Sequence, residues 1–472
     1  MALYGNALTL PAIIGDNMML QQQTDASLWG WAKPGSEVKV TTDWDGKSYT
    51  AKAASNGKWK LTVATPVASY EPTSFSVTGD GKTIKVNNVL IGEVWLASGQ
   101  SNMEMPLAGF IGSPVDGAND AVATSGRYNK AIRFSTTPRA LFTTPQDSVG
   151  GDWKECSPEN APEFSAVAYF YARKLNDMLD VPVGIINCSY GGTCVEGWMP
   201  ESILKDYPDV DLTLAAKEGV TEYKQPMSMY NGMLHPLAPY TIKGFLWNQG
   251  ESNAMTGTQN VYAEYMNRMI GHWRELWGND SLPFYIVEIP PFIYDGAEQI
   301  MSAKLREAQL KTVDMTPNTG IVSSIDLFTP GLSCQIHPSV KLQAGERLAY
   351  MAAGDTYGMK GVRYKSPRFD SMELQDDGAT AILRFKDAHD GFTPYQGLKG
   401  FEVAGEDHVF HPANATQVFG PFPEVVGISV SSPDVPKIVA VRYAFKNWPE
   451  GANVYGVSEL PLLPFRTDDW NK

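Results

Sequence analysis

The stretch Glu93-Val94-Trp95-Leu96-Ala97-Ser98-Gly99-Gln100-Ser101-Asn102-Met103-Glu104-Met105 predicts the fold at the centre of the chain. An apolar run stops at Gly99 and is followed by Ser101 and polar residues, as when a buried strand turns into a helix. Open α/β folds place their sites at the carboxyl ends of such strands. Ser101 is therefore a candidate reactive residue. The alternative is structural, because Ser101 and Glu104 also match the S-x-x-E capping box.

The composition is that of a globular protein with several domains. The chain has 472 residues, of which 43% are hydrophobic and 19% charged, and this length suggests about three domains. A formal net charge of −14, with no basic patch, argues against nucleic acid as a partner. No apolar run approaches the ~18 residues that a membrane helix needs. The four cysteines and scattered histidines form no metal-binding pattern.

The sequence pattern changes twice along the chain and predicts three domains. Residues 1–90 alternate short strand-like runs with turns such as Asn56-Gly57, which is typical of a β-sandwich. Residues 91–358 alternate strands with helices, which favours a parallel sheet with right-handed crossovers. Residues 359–472 return to strands. The predicted fold class is thus an α/β core flanked by an N-terminal β-sandwich and a C-terminal β domain.

Within the central domain, the periodicity predicts individual helices and strands. The predicted helices cover residues 164–179, 261–277, 298–313 and 338–357, and the predicted strands cover 181–187, 243–248, 282–288 and 319–326. Pro338 is expected in the first turn of the last helix, where proline is tolerated.

A reactive serine needs a general base and donors for the developing oxyanion. The chain has six histidines, and among these only His235 and His337 fall in predicted loops of the central domain. His337 follows the last predicted strand and precedes the last predicted helix, a suitable position for a general base. A structural role is the alternative for any single loop histidine.

Two further loops follow predicted strands. In Cys188-Ser189-Tyr190-Gly191-Gly192-Thr193, the paired glycines would let backbone N–H groups approach a ligand closely, although a plain tight turn fits equally well. Trp247-Asn248-Gln249-Gly250-Glu251-Ser252-Asn253 gathers amides and a carboxylate around one glycine. This composition favours a functional role over a solvated loop.

Together these motifs resemble the sialate O-acetylesterase group of the SGNH-hydrolase superfamily, which are carbohydrate esterases. The resemblance rests on blocks in the same order in both, namely 95–104, Tyr190-Gly191-Gly192-Thr193, Asn248-Gln249-Gly250-Glu251-Ser252-Asn253 and Ile336-His337-Pro338 with Lys341 and 345–349. Residues 17–21, 29–32 and 464–470 extend it to both ends of the chain. It implies a flavodoxin-like, three-layer α/β core with a parallel sheet.

The resemblance also implies roles for individual residues. Ser101 would be the nucleophile and His337 the base. The oxyanion donors would be the backbone N–H of Ser101, Gly192, and the side-chain amide of Gln249, with Asn253 as the second candidate. Prepositioned donors of this kind stabilise the charge that develops on the acetyl carbonyl oxygen.

The chain departs from the family at the residue that orients the histidine. Many relatives have Asp two residues before it, whereas this chain has Gln335, and a neutral amide stabilises an imidazolium less than a carboxylate does. Related acetylesterases are understood to use the glutamate of the Gln-Gly-Glu block, which corresponds to Glu251. We therefore favour a Ser101–His337–Glu251 triad over a dyad assisted by Gln335.

The leading hypothesis is a serine esterase that removes O-acetyl groups from sugars, foremost O-acetylated sialic acid, and that needs no metal or organic cofactor. Acetylated xylan is the nearest alternative substrate, and a non-catalytic carbohydrate-binding protein on an inactive hydrolase core is the alternative of another class. A sialate site should contain an arginine for the sugar carboxylate, which the sequence does not locate. Trp198 and Trp247 are candidates to stack on a sugar or to pack in the core.

The family also bears on localisation. Its members usually act outside the cytoplasm, so a periplasmic or extracellular protein is expected, with a signal peptide absent from this chain. The sequence predicts no particular oligomeric state.

Overall fold

A computed structural model describes residues 7–329, 331–388, 390–420 and 425–470. The chain divides into two units. The first comprises Met1–Gln249 and Tyr265–Phe284, and the second comprises Gly250–Glu264 and Tyr285–Lys472.

The first unit combines strands with short and medium helices. Its strands are β1 (Met19–Gln21), β2 (Asp25–Trp31), β3 (Glu37–Thr42), β4 (Ser48–Lys52), β5 (Lys58–Ala64), β6 (Ser69–Gly79), β7 (Lys82–Gly99), β8 (Ile132–Thr136), β9 (Trp153–Glu155), β10 (Val183–Ser189) and β11 (Gly244–Asn248). Its α-helices are α1 (Ser101–Glu104), α2 (Ala118–Thr124), α3 (Ala166–Leu179) and α4 (Glu201–Leu204). Residues 7–90 contain strands and no helix, as predicted for the N-terminal region.

Strand β7 is the longest element of this unit, and its two halves differ in composition. The first half alternates polar and apolar residues, whereas every residue from Val89 to Gly99 is buried. Alternation suits an antiparallel strand with one wet face, and a continuous apolar run suits a strand covered on both faces. Accordingly, the first half pairs antiparallel with β6 and the second half pairs parallel with β10 and β11. The strand runs without interruption through residues 90 and 91.

The parallel strands of the first unit end level with one another. Ser189 of β10 and Asn248 of β11 both lie opposite Gly99 of β7. Strand β8 continues the sheet in parallel beside β10, and β9 closes this edge as an antiparallel partner of β8. The loops that leave β7, β10 and β11 therefore start from the same edge of the sheet.

The second unit has an α/β part and a β part. Its first elements are α5 (Glu251–Thr256), α6 (Gln259–Trp277), β12 (Phe284–Val287), α7 (Met301–Met315), β13 (Thr319–Val322) and α8 (Leu342–Met351), of which α6 and β12 lie partly in the first unit. The strands that follow are β14 (Arg368–Leu374), β15 (Thr380–Lys386), β16 (Phe392–Thr393), β17 (Phe401–Ala404), β18 (Phe410–Pro412), β19 (Asn414–Phe419), β20 (Val425–Ser431), β21 (Ala440–Tyr443), β22 (Tyr455–Gly456) and β23 (Phe465–Arg466).

Strands follow residue 359, as predicted, and they pair in antiparallel sheets. One sheet has the order β14-β15-β20-β19 and another has the order β18-β17-β21-β23. Alternate residues such as Ala381 and Leu383 of β15 point into a shared core with Val403 and Val441. The α/β fold class with a parallel sheet and separate antiparallel sheets is therefore confirmed.

The last predicted helix begins later than the sequence indicates. The chain stays irregular from Pro338 through Val340, Lys341 is the N-cap, and α8 starts at Leu342. The carbonyl of Lys341 accepts the helical bond from Gly345 N–H at 3.2 Å. Placing Pro338 in the first turn is therefore wrong. The other core helices and strands lie within a few residues of their predicted bounds.

Candidate active site

Strand β7 ends at Gly99, where three segments of the first unit meet. The N–H of Gln100 donates to the carbonyl of Asn248 at 2.9 Å, and the N–H of Tyr190 donates to the carbonyl of Gly99 at 3.0 Å. Gly99 has a φ of 135°, and a Cβ at this position would lie 2.1 Å from the Asn248 carbonyl oxygen. Only glycine tolerates both conditions. The predicted motif loops around Ser101, Tyr190 and Asn248 are therefore brought together by backbone contacts.

Ser101 is the first residue of α1 and is half-buried. The N-cap is Gln100, whose extended backbone has φ −110° and ψ −154°, and no side chain caps the helix. The predicted capping box is therefore wrong. The helix starts one residue too early for Ser101 to act as its cap, so the structural interpretation of this serine does not hold.

Glu104, the other member of the predicted box, instead ties α1 to the neighbouring loops. Its carboxylate accepts hydrogen bonds from Arg139 Nε at 2.7 Å and Nη2 at 2.6 Å, and from the N–H of Gly191 at 2.8 Å. The Arg139 guanidinium lies over the ring of Tyr190, 4.3 Å from its centre. The hydrogen bond to Glu104 raises the pKa of Arg139. No local sequence pattern indicates this cluster, because Arg139 and Gly191 are 35 and 87 positions from Glu104.

The glycine turn of the second motif lies against the nucleophile. A Cβ placed on Gly191 would lie 3.3 Å from Ser101 Cβ and 2.8 Å from a Glu104 oxygen. Gly192 adopts a φ of 78°, which glycine accepts without strain. Thr193 Oγ1 donates to the Tyr190 carbonyl at 2.9 Å and closes the turn. The turn that contains Gly192 is therefore adjacent to Ser101, and the oxyanion role of Gly192 stays a prediction.

Gln249 is fully buried and links the three motifs. Its Nε2 donates to Gln100 Oε1 at 3.1 Å and to the Thr193 carbonyl at 2.9 Å. Both amide hydrogens thus have acceptors within the protein. Gln249 holds the nucleophile loop and the glycine turn in register, and its role as an oxyanion donor stays a prediction.

Trp198 and Trp247 belong to the core. Both are fully buried, and their rings pack edge to face with centres 6.1 Å apart. Trp198 Nε1 donates to Thr193 Oγ1 at 3.0 Å, so this ring supports the glycine turn from behind. Stacking of either ring on a sugar is excluded by this burial, and the core interpretation of both residues is correct.

In the second unit, Glu251 and Asn253 lie in the first turn of α5 and are buried. Gly250 precedes them with a φ of 148°, and a Cβ there would lie 2.5 Å from Leu305 Cδ2. Asn253 Nδ2 donates to Thr258 Oγ1 at 2.8 Å. Asn253 thereby stabilises the end of its own helix, and its alternative role as an oxyanion donor stays a prediction.

Lys341 is a further functional candidate. In the sequence it appears only as part of the motif around His337, with no role of its own. It is buried, and burial lowers its pKa to about 7, while the field of Glu251 acts in the opposite direction. A buried lysine whose pKa lies near neutral pH and that interacts with a buried carboxylate is typical of functional sites. Its burial could not be predicted, because lysines are rarely found inside proteins.

His337 and Gln335 lie, half-buried, between β13 and α8, where the described residues 323–329 and 331–341 are irregular. Arg347 of α8 binds Asp326 through two hydrogen bonds of 2.7 Å and also donates to the Ser323 carbonyl at 2.8 Å. These bonds attach the start of the segment to the helix that follows it. His337 is thus carried by a long loop with a well-anchored beginning.

The same segment is also attached to Glu288, the residue that follows β12. Ser323 Oγ donates to Glu288 Oε2 at 2.6 Å, and Ser324 Oγ donates to the Glu288 carbonyl at 2.6 Å. Burial raises the pKa of Glu288. Glu288, a buried carboxyl with a raised pKa, therefore positions the beginning of the segment that carries His337.

Comparison with known proteins identifies the family. The sequence profile described as "Carbohydrate esterase, sialic acid-specific acetylesterase" matches residues 91–353. The chain belongs to this acetylesterase family. The family predicted from the motifs is confirmed, and the protein is a carbohydrate esterase and thus an ester hydrolase.

Individual relatives support this assignment over the full chain. The acetylesterase is 36% identical to a carbohydrate acetylesterase from Xanthomonas citri, whose crystal structure matches it with a TM-score of 0.86 over 98% of this chain and 100% of that one. It is 28% identical to human sialate O-acetylesterase over 509 residues, 98% of this chain and 92% of that protein. The mouse sialate O-acetylesterase is 26% identical over 525 residues, 98% of this chain and 94% of that protein.

In the parts of the chain that the structure describes, no group of three or more His, Cys, Asp or Glu side chains is arranged to hold a metal ion. Among the same described residues, no helix has the length and apolar character required to cross a bilayer.

Proposed function

We propose that this acetylesterase is a serine esterase that removes O-acetyl groups from sialic acid. The observation that carries the chemistry is the junction at Gly99, which places the glycine turn of the second motif against Ser101. The substrate is inferred from the family description and from the names of the human and mouse relatives.

The reaction follows the general scheme of serine acyl transfer. Ser101 Oγ attacks the acetyl carbonyl carbon while His337 accepts the serine proton. Backbone N–H groups, foremost that of Gly192, stabilise the oxyanion. The C–O bond to the sugar then breaks, and His337 returns the proton to the departing sugar hydroxyl. Water, deprotonated by His337, releases acetate from the acyl-serine.

Glu251 is the proposed partner that orients His337 and stabilises its imidazolium form. A carboxylate performs this task better than the neutral amide of Gln335, because it offsets the positive charge that forms on the ring. Lys341 shares the buried surroundings of Glu251, and its positive charge would favour the ionised form of this carboxylate.

The test is acetate release from O-acetylated sialic acid, with acetylated xylan as the competing substrate. The wild-type enzyme should prefer the sialic acid ester, and Ser101→Ala should lower its rate by about 10⁴-fold or more, as in other serine hydrolases without their nucleophile. Ser36→Ala is the matched control, since the hydroxyl of Ser36 donates to the Lys33 carbonyl in the N-terminal β region.

The outcomes separate the alternatives. Hydrolysis of acetylated xylan with no release from sialic acid would reject the proposed substrate while leaving the esterase chemistry intact. Full activity of Ser101→Ala would reject the nucleophile. An inactive wild-type protein that still binds the sugar would favour the non-catalytic alternative.

A further inference from the structure

We propose that Arg139 binds the carboxylate of an acidic sugar beside Ser101 and thereby determines substrate specificity. This inference rests on the proposed function, since a neutral sugar offers no such group. Arg139 lies three residues after the end of β8, in a loop that no sequence motif singles out.

The position of Arg139 places it within reach of a sugar whose acetyl group is at Ser101. A Cβ on Gly191 would lie 3.3 Å from Ser101 Cβ and 3.4 Å from Arg139 Nη2. The separation of Nη2 from Ser101 Cβ therefore cannot exceed the sum of these two distances. One monosaccharide spans a gap of this size, so its acetyl ester and its carboxylate can engage both residues at once.

The guanidinium presents a further edge for a second carboxylate. Glu104 uses the edge formed by Nε and Nη2, whereas a guanidinium offers five N–H donors in a fixed fork. The edge formed by Nη1 and Nη2 has the geometry for a second bidentate pair. The Arg139 side chain is 51% exposed, so this group is accessible to a ligand.

The surroundings of Arg139 hold it in place before the ligand arrives. Glu104 fixes one edge, and the Tyr190 ring supports the face of the guanidinium at 4.3 Å. An arginine guanidinium stays charged in proteins, and the hydrogen bond with Glu104 raises the pKa of Arg139 further. Little side-chain entropy is then lost on binding, which favours affinity and selectivity.

The charges nearby explain why this arginine would matter for an anionic substrate. Glu104 and Glu222 both act on Arg139, and the whole chain carries a net charge of −14. An acidic sugar approaching Ser101 would meet these carboxylates. Without Arg139, the substrate carboxylate would face Glu104 directly, whereas an uncharged sugar would experience no such repulsion.

The experiment compares O-acetylated sialic acid with its carboxyl methyl ester, which removes the charge and keeps the acetyl group. The measured quantity is the ratio of kcat/KM for the acid to that for the methyl ester. Arg139→Gln should lower this ratio by roughly 10- to 100-fold, the range for a hydrogen bond to a charged group. Arg139→Lys should fall in between, because it keeps the charge and loses the fork.

Arg268→Gln is the matched control. Like Arg139, Arg268 pairs with a carboxylate, that of Asp206, at 2.7 Å and lies over a tyrosine ring, that of Tyr207, at 5.3 Å. Unlike Arg139, it lies on helix α6 and not in the loop after β8. This variant should keep the wild-type ratio. Thermal unfolding of each variant checks that it is folded.

The outcomes distinguish this inference from the function on which it rests. If Arg139→Gln lowers kcat/KM equally for both substrates, Arg139 only supports Glu104 and the glycine turn, so the inference is overturned while the proposed function stands. If wild-type enzyme hydrolyses neutral acetylated sugars and neither sialic acid derivative, the proposed substrate and the role of Arg139 fail together.

Discussion

The region that carries Ser101 and the region that carries His337 are held in place by different forces. Around Ser101, the turn at Gly99 is determined by the close approach of Asn248 and by backbone hydrogen bonds between strand ends. In the segment after β13, the described residues 323–329 and 331–341 have no regular structure, and side-chain hydrogen bonds hold its beginning, including the pair of Arg347 and Asp326. Backbone packing resists changes of pH, whereas buried ionisable groups respond to them. Substitutions that create a steric clash should therefore be the most damaging around Ser101. Around His337, substitutions that remove a charge should be the most damaging.

The largest effect is expected from Gly99→Ala. The new Cβ would lie 2.1 Å from the Asn248 carbonyl oxygen at a φ of 135°, so the ends of β7 and β11 would have to separate. We expect a loss of about 4–5 kcal/mol in the free energy of unfolding, the upper range for single substitutions, together with loss of activity. Urea unfolding and acetate release measure the two effects.

Gly81→Ala provides the control for this substitution. Gly81 also has a positive φ, 73°, but a Cβ there would meet nothing within 4 Å. It should cost only about 1 kcal/mol from backbone strain and leave activity unchanged. Similar losses for both glycines would contradict the view that close packing at Gly99 determines the nucleophile region.

The next largest effect is expected on kcat when the charge of Glu251 is removed. Glu251→Gln keeps the shape of the side chain and removes its charge, so it should lower kcat by about 10³-fold, near the loss seen when a triad carboxylate becomes an amide. Gln335→Ala should lower kcat less, by about tenfold at most. Steady-state kinetics with O-acetylated sialic acid measures both, and the opposite ranking would assign the orienting role to Gln335.

The smallest effect is a pH dependence of stability that comes from Lys341. Its pKa falls from the ordinary 10.5 to about 7 on folding because it is buried. Between these values the unfolded chain binds more protons, so the contribution of Lys341 to the free energy of unfolding is lowest below pH 7 and rises with pH. The slope approaches about 1.4 kcal/mol per pH unit. In urea unfolding at several pH values between about 7 and 10.5, the slope of the wild type should exceed that of Lys341→Met by up to about 1.4 kcal/mol per pH unit.

Lys437→Met is the control for this measurement, because the Lys437 side chain is 74% exposed. It should keep the wild-type slope. An unchanged slope in Lys341→Met would mean that the buried lysine does not contribute to the pH response of the second unit.

The sequence predicts best those features that depend on residues close together in the chain. The apolar run, Gly99 and Ser101 are neighbours in the chain, so local patterns predict the strand, the turn and the serine that follows them. The alternation of strands and helices likewise predicts the α/β core and the flanking β regions. The cap of α1 is missed because it depends on the backbone angles of Gln100, which no residue pattern specifies.

Contacts between distant residues are beyond the reach of local patterns. The pairing of Arg139 with Glu104 joins the loop after β8 to helix α1, which follows β7, so no local sequence pattern indicates the arginine that we propose for a sialate site. Pro338 lies in an irregular segment and α8 begins four residues later, because a proline that suits a helix start does not require one. The stacking role considered for Trp247 fails because its ring is enclosed by other aromatic residues.

The most direct test of the central claim is a search for the acyl-enzyme intermediate on Ser101. Wild-type enzyme is mixed with excess O-acetylated sialic acid, quenched with acid within the first turnover, digested and examined by mass spectrometry. The peptide that contains Ser101 should carry one acetyl group, and the same peptide from Ser101→Ala should carry none. An acetyl group on another residue, or efficient turnover with no acetylated peptide, would contradict the assignment of Ser101 as the nucleophile.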